Sequence, residues 1–228
     1  MHQKSDFLAG EGDKWYERNI LQLDIEEHND LVFLDKYLSN QNIKTFLEIE
    51  CSSGYKTLQL AKKLKASAYG IDPSKNAIAN AKVMAKQNNT SNLNLPSLNF
   101  SVGTADDLEF KNSYFDFIYF GFCLYLVDRE LLPTVIAEAD RCLKSPNDNT
   151  NKVREEGGFL AVLDFDPITP YANVYKHKAG LHSFKDDYSK YFTNKGYRII
   201  AKESYDRNKV GLATSIDNRT SITLLQKQ

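Results

Sequence analysis

Thr45-Phe46-Leu47-Glu48-Ile49-Glu50-Cys51-Ser52-Ser53-Gly54 is the stretch that decides the fold. Its first five residues form a short, largely apolar run, the signature of a strand buried on both faces. A turn of small residues follows. Gly54 then opens a helix carrying Leu58, Leu60, Ala61 and Leu64. The same unit recurs downstream. Residues 67–71 read as a second strand ending at Asp72-Pro73, and Ser74 suits the N-cap of a helix running to about Lys86. Residues 98–102, 115–120 and 159–163 read as further strands, with a helix over 129–143. Strands alternating with helices predict a parallel sheet covered on both faces.

Upstream, Ile20, Leu23, Leu31, Leu34 and Leu38 recur at helical spacing, predicting one or two N-terminal helices that stop at the polar residues 39–42. At the other end, residues 197–201 and 221–225 read as two strands with no long helix between them, hence an antiparallel hairpin at a sheet edge. Residues 214–218 pair with or precede the last strand. Residues 145–156 are polar and Asn-rich and read as a surface insertion. The expected fold is α/β, doubly wound, with a mostly parallel seven-stranded sheet, a C-terminal antiparallel hairpin and N-terminal helices. One domain is expected over 1–228, divided into a helical cap (1–42), a core (43–165), an acceptor-site segment (166–196) and terminal strands (197–228).

Composition narrows the function. Apolar residues make up 42% and charged residues 26%, a globular balance. With 29 Lys and Arg against 30 Asp and Glu, the net charge is −1, so a general nucleic-acid binder is not expected. Cys51, Cys123 and Cys142 match no metal spacing and no disulfide framework. The polar residues 1–9 do not resemble a signal peptide, and no run reaches membrane-spanning length, so no membrane partner and a cytoplasmic location are expected.

In a doubly wound sheet, ligands sit beyond the carboxyl ends of the strands. There the first strand offers free N–H groups at a helix start. The second ends in Asp72, placed to accept hydrogen bonds from ribose hydroxyls. The third ends in Gly103-Thr104-Ala105-Asp106-Asp107-Leu108 and the fourth at Phe120-Gly121-Phe122. Together with Phe46-Leu47-Glu48-Ile49, Tyr69-Gly70-Ile71-Asp72-Pro73 and Phe115-Asp116-Phe117-Ile118-Tyr119, this ordered set resembles the class I S-adenosylmethionine-dependent methyltransferases over residues 43–165. The 121–129, 138–143, 164–167, 175–178 and 187–190 stretches, and Gly12-Asp13-Lys14-Trp15-Tyr16-Glu17-Arg18-Asn19, are similar to a bacterial subgroup linked to surface-polysaccharide and other small-molecule pathways.

The resemblance implies a cofactor, S-adenosylmethionine, and a small-molecule acceptor. Glu48 would orient the turn, and the backbone from Glu50 through Ser52 to Gly54 would hold the methionine part. Asp72, followed by Pro73, would bind the ribose. The Ala105 backbone and the Asp106 side chain would read the adenine edge, and Phe120-Gly121 would line the floor beneath the sulfonium. Trp15, Tyr16 and Arg18 would cover the cofactor. One motif departs from the family: its usual Gly-x-Gly-x-Gly is here Glu50, Ser52 and Gly54. A side chain at a left-handed position costs roughly 1–2 kcal/mol. That departure keeps a second reading open, a methyltransferase-like binding or scaffold protein without turnover. A nicotinamide dehydrogenase also places an acid after its second strand, but the Gly-x-Gly-x-x-Gly it needs is missing.

The acceptor region is expected after the fifth strand. Pro167 and Pro170 disfavour regular structure there, and residues 175–191 are rich in Tyr, Lys, His and Asp. A histidine's ordinary pKa suits proton removal near neutral pH. His177 is the candidate base or acceptor ligand, with Lys176 and Lys178 available for an anionic acceptor. His182 is a weaker candidate, and Asp164, Asp166 and Tyr125 are the fallback.

Overall fold

In the computed structural model, which describes residues 3–23, 29–91, 96–146, 156–207, 215 and 218–228, β1 (Thr45–Ile49) lies in the interior of the main sheet. Its alternating side chains explain why. Phe46 points into one hydrophobic cluster with Leu34, Leu38, Leu60 and Ala61, while Leu47 and Ile49 point into the opposite one with Phe120, Val135 and Leu160. A strand with helices on both faces has no polar side to spare.

β2 (Ser67–Asp72), β3 (Leu98–Val102), β4 (Phe117–Gly121) and β5 (Phe159–Phe165) run parallel to β1. A separate two-stranded hairpin follows, β6 (Tyr171–Val174) and β7 (His182–Lys185), and then β8 (Arg198–Asp206) and β9 (Arg219–Gln226). The main sheet has the order β3-β2-β1-β4-β5-β9-β8, and β9 is antiparallel to both neighbours. The last strand of the chain is thus internal and β8 forms the edge. β9 is buried almost throughout, whereas Ile199 and Ile200 on β8 are exposed.

The helices are α1 (Gln3–Asp6), continuing through a wide turn (Phe7–Glu11) into α2 (Gly12–Leu23), then α3 (Asn29–Leu38), α4 (Tyr55–Leu64), α5 (Lys75–Ser91), α6 (Leu132–Cys142) and α7 (Ser189–Thr193). No helix among the described residues is long and apolar enough to cross a membrane. α5 begins as expected: the Ser74 hydroxyl accepts the Ala77 N–H at 3.0 Å.

Several sequence expectations need correction. α6 starts at Leu132 rather than at residue 129, with Pro133 in its first turn, where a missing N–H costs nothing. α5 extends to Ser91 rather than ending near Lys86. The segment after β5 is irregular where its prolines fall, over residues 166–170, and forms a hairpin only beyond them. Its prolines stop short of β6, so they remove no N–H from the β6–β7 ladder, whose register runs from Tyr171 opposite Lys185 to Val174 opposite His182. Most of the 145–156 insertion, and most of the 214–218 stretch, lie outside the described residues.

Gly54 is the tightest point of the β1–α4 turn. Its φ is 77°, and a Cβ there would lie 2.6 Å from the Phe100 ring. Gly196 also has positive φ, 95°, but nothing lies within 4 Å of a Cβ there. Gly54→Ala is expected to carry the backbone cost of roughly 1–2 kcal/mol together with an overpacking cost of roughly 1–3 kcal/mol, and Gly196→Ala only the first. Urea unfolding of both variants measures the difference. Equal losses would mean that Phe100 swings aside without cost.

Candidate active site

The sheet order reverses between β1 and β4, so the crevice above their carboxyl ends is the topological place for a ligand. The turn after β1 is built from left-handed backbone: Glu50 at φ 58°, Ser52 at 51° and Gly54 at 77°. Two of these residues carry side chains where glycine is the unstrained choice. The turn is held from β2. Asp72 accepts the Ser52 N–H at 2.9 Å with one carboxylate oxygen and the Ser74 N–H at 2.8 Å with the other. Its capping function is therefore plain in the geometry.

Two cavities meet at this turn. The first is a narrow slot lined by Pro73, Ala105, Asp106, Leu131 and Val135, with Lys4 and Phe7 from the N-terminal segment over it. Lys4 and Asp106 form an ion pair at 2.7 Å. Arg141 reinforces the loop beside the slot by donating to the Leu108 carbonyl at 2.7 Å, while Glu138 accepts the Leu108 N–H. The second cavity, about 370 Å³, is lined by Trp15, Glu48, Ser52, Gly121 and Arg207 among others. Glu50 lines both. Glu48 accepts the buried Thr57 hydroxyl at 2.5 Å, and a Cβ on Gly121 would come 3.2 Å from Glu48 Oε1. A third cavity, about 400 Å³, shares Trp15, Asn19 and Arg207 with the second and continues past Tyr125 to Lys176, His177 and Lys185.

The cap is tied to the core at several points. Asp13 accepts the Ser74 hydroxyl at 2.6 Å and the Asn76 N–H at 3.0 Å. Arg18 joins Glu11 at 2.6 Å and the Tyr175 hydroxyl at 3.0 Å, so it braces the cap against the β6–β7 hairpin.

Of the residues singled out in the sequence, Trp15, Glu48, Glu50, Ser52, Pro73, Ala105, Asp106 and Gly121 line the first two cavities. Gly54 and Asp72 shape the turn from behind. Tyr16 is buried instead against α5, its hydroxyl accepting from Asn80 at 2.9 Å, and Phe120 is fully buried with its ring against Phe192. His177 is exposed on the hairpin turn, beside Tyr175, and lines the third cavity. Of the fallback groups, Asp164 accepts N–H groups of Tyr125 and Phe165, and Asp166 is taken up by Lys202, Arg219 and Ser204. Sequence reading missed Lys4, Phe7, Asn19 and Arg207. The first two stand in a segment read only for its lack of apolar length, and Arg207 sits just past β8, without a motif around it.

The residues fit a molecule with a flat base at one end and a charged chain at the other. The slot has apolar walls with a carboxylate at its rim. The Ser52 hydroxyl, in the wall of the second cavity, is buried without a partner among the described residues. Among those residues no group of three or more His, Cys, Asp or Glu is placed to hold a metal ion.

Comparison with known proteins agrees with this geometry. Residues 46–146 match the family model described as a methyltransferase domain. A methyltransferase of Synechocystis is 21% identical over 183 residues, covering 76% of each chain. The fold matches a methyltransferase from Methanosarcina mazei dependent on S-adenosylmethionine, with TM-score 0.63 at 19% identity, covering 86% of this chain and 96% of that one. It also matches the 1,6-didemethyltoxoflavin N1-methyltransferase of Burkholderia thailandensis, which holds its acceptor and S-adenosylhomocysteine. There the TM-score is 0.70 at 14% identity, covering 99% and 87%.

Electrostatics at the turn is one-sided. Burial raises Glu48 from 4.5 to about 7, Asp72 from 3.8 to about 6 and Asp164 from 3.8 to about 7. Such acids ionise more readily in the unfolded chain, so the folded protein holds extra protons between about pH 4 and about pH 7. Their contribution to stability is complete below this window and is lost as pH rises through it. The ligand-free protein is therefore expected to lose on the order of 1 kcal/mol or more between about pH 5 and about pH 7.5. Urea midpoints across that range measure it, and Glu48→Gln and Asp164→Asn should flatten the fall. A midpoint that holds or rises would show these carboxyls hydrated and ionised in the folded state.

Proposed function

We infer that this S-adenosylmethionine-dependent methyltransferase acts on a small anionic acceptor, and that the methyl group goes to a hydroxyl oxygen of a phosphorylated or nucleotide-linked sugar. The observation that carries this reading is the third cavity. It opens from the methionine side of the site and carries Arg207, Lys185, Lys176 and His177 on its walls. Lys185 and Arg207 both stack on the Phe165 ring, a partly apolar setting in which a cation attracts an anion more strongly than in water. The toxoflavin-precursor methyltransferase, with its bound small molecule, supports the acceptor's size class.

In this reading the parts of the chain divide as 1–42 cap, 43–165 cofactor core, 166–196 acceptor segment and 197–228 terminal strands. Pro73, Ala105 and Asp106 hold the adenine end, Asp72 the ribose, and the 50–54 turn with Gly121 the methionine end. S-adenosylmethionine supplies an electrophilic methyl group. The chain then has to exclude water, align the acceptor and accept its proton. Trp15 and the β6–β7 hairpin close the site from the two sides of the crevice. Alignment contributes several kcal/mol to the rate. His177 takes the hydroxyl proton. Tyr125, whose phenol is pushed well up by burial, stays protonated and serves only as a donor.

Calorimetry with S-adenosylhomocysteine tests the cofactor half. Micromolar-range binding is expected, and Asp72→Ala should weaken it by roughly 1.5–3 kcal/mol. Absence of binding to the wild type, or an unchanged variant, would remove the assignment. For the acceptor half, methyl transfer should be screened against phosphorylated and nucleotide-linked sugars beside neutral ones. Turnover of neutral acceptors alone would overturn the anionic acceptor. With an acceptor in hand, His177→Ala is expected to cut turnover at least about tenfold with cofactor affinity intact. Unchanged turnover would leave alignment as the whole of the chemistry.

A further inference from the structure

Glu50 is costly to keep where it is. Its φ of 58° favours glycine. Its half-buried carboxyl is crowded by Asp72 and Asp164. Among the described residues no donor or cation is paired with it; Glu48 by contrast has Thr57 and Asp106 has Lys4. An unpaired acid in such surroundings is destabilising unless something outside the chain compensates it. Its position says what that is. Glu50 stands at the junction of the slot lined by Ala105 and Asp106 and the cavity lined by Ser52 and Gly121. A ligand that fills both must pass its carboxylate with its middle.

We propose that the Glu50 carboxylate reads the charge at the centre of the cofactor, so that this protein holds the sulfonium form and lets go of the neutral thioether left after methyl transfer. The proposal rests on the cofactor reading above and goes beyond it. In S-adenosylmethionine the sulfonium lies between the adenosine and the amino-acid arm. S-adenosylhomocysteine keeps both arms and loses only that charge. An acid facing the middle therefore discriminates the two, whereas an acid facing the ammonium of the amino-acid arm cannot. The raised pKa of Glu50, due first to burial and then to Asp72 and Asp164, is the mark of a site short of positive charge before the ligand arrives. Product release is built in: the attraction disappears in the same step that moves the methyl group.

The test is equilibrium binding of S-adenosylmethionine, S-adenosylhomocysteine and sinefungin, which carries an amine in place of the sulfonium methyl. The wild type and Glu50→Gln are compared. Glu50→Gly serves as a second variant, since glycine suits the backbone there should the amide fail to fold. The wild type is expected to prefer both cationic ligands over S-adenosylhomocysteine, and both variants to lose at least about tenfold for the cationic ligands with S-adenosylhomocysteine affinity kept. An equal loss for all three ligands would assign Glu50 to the ammonium or to folding, and would overturn the proposal. So would affinities unchanged by the substitution. If the wild type binds none of the three, the cofactor reading itself fails and the proposal with it.

Discussion

Two hydrogen bonds to one buried side chain tie the walls of the crevice together. Asp72 ends β2 and accepts N–H groups from the turn after β1 and from the start of α5. Buried N–H groups need acceptors, and left-handed backbone at Glu50, Ser52 and Gly54 leaves few of them inside its own turn. The carboxylate supplies one across the strand gap. Beyond the last paired residues, Ile49 and Ile71, it adds to the Cys51 N–H bond to the Ile71 carbonyl at 3.0 Å in tying the crevice walls together. A latch at this point keeps the strained turn in shape over the crevice and keeps the N-terminus of α5 beside it.

The N-terminal helices use that same platform. Asp13 reaches the hydroxyl of Ser74, next to the N–H that Asp72 accepts, so α2 is registered on the start of α5. Lys4 closes on Asp106, Gln3 donates to Asp128 and to the Leu126 carbonyl, and Arg18 reaches Tyr175 on the far side. These contacts are polar and partly buried. Charge-assisted bonds of this kind orient strongly but exchange with water more readily than an apolar interface does.

Charged groups of both signs line the crevice. Acids stand at the carboxyl ends of β1, β2 and β5, where burial raises Glu48, Asp72 and Asp164. Among the cations, Lys185 and Arg207 stand over aromatic rings. Trp15 and Asn19 stand on the walls shared by the second and third cavities.

The sequence by itself determined the layering of the fold. Largely apolar runs such as residues 45–49 have no face to offer to water, and their alternation with helical patterns leaves a covered parallel sheet as the way to bury them. It also pointed to residues that come together, since Ala105, Asp106 and Gly121 lie at or just after strand ends and are carried to one edge by the topology, with Asp72 behind the turn. Tertiary structure decided the rest. That β9 inserts between β5 and β8 depends on pairing energies between strands far apart in sequence, which no local pattern encodes. The hairpin at 171–185 escapes the nearby prolines because they fall outside its ladder, a matter of register. Tyr16 and Phe120 became packing residues because neighbouring helices covered them. Lys4 and Arg207 entered the site from segments without motifs, and Glu50 became the shared wall of two cavities, because side chains distant along the chain converge only once the chain is folded.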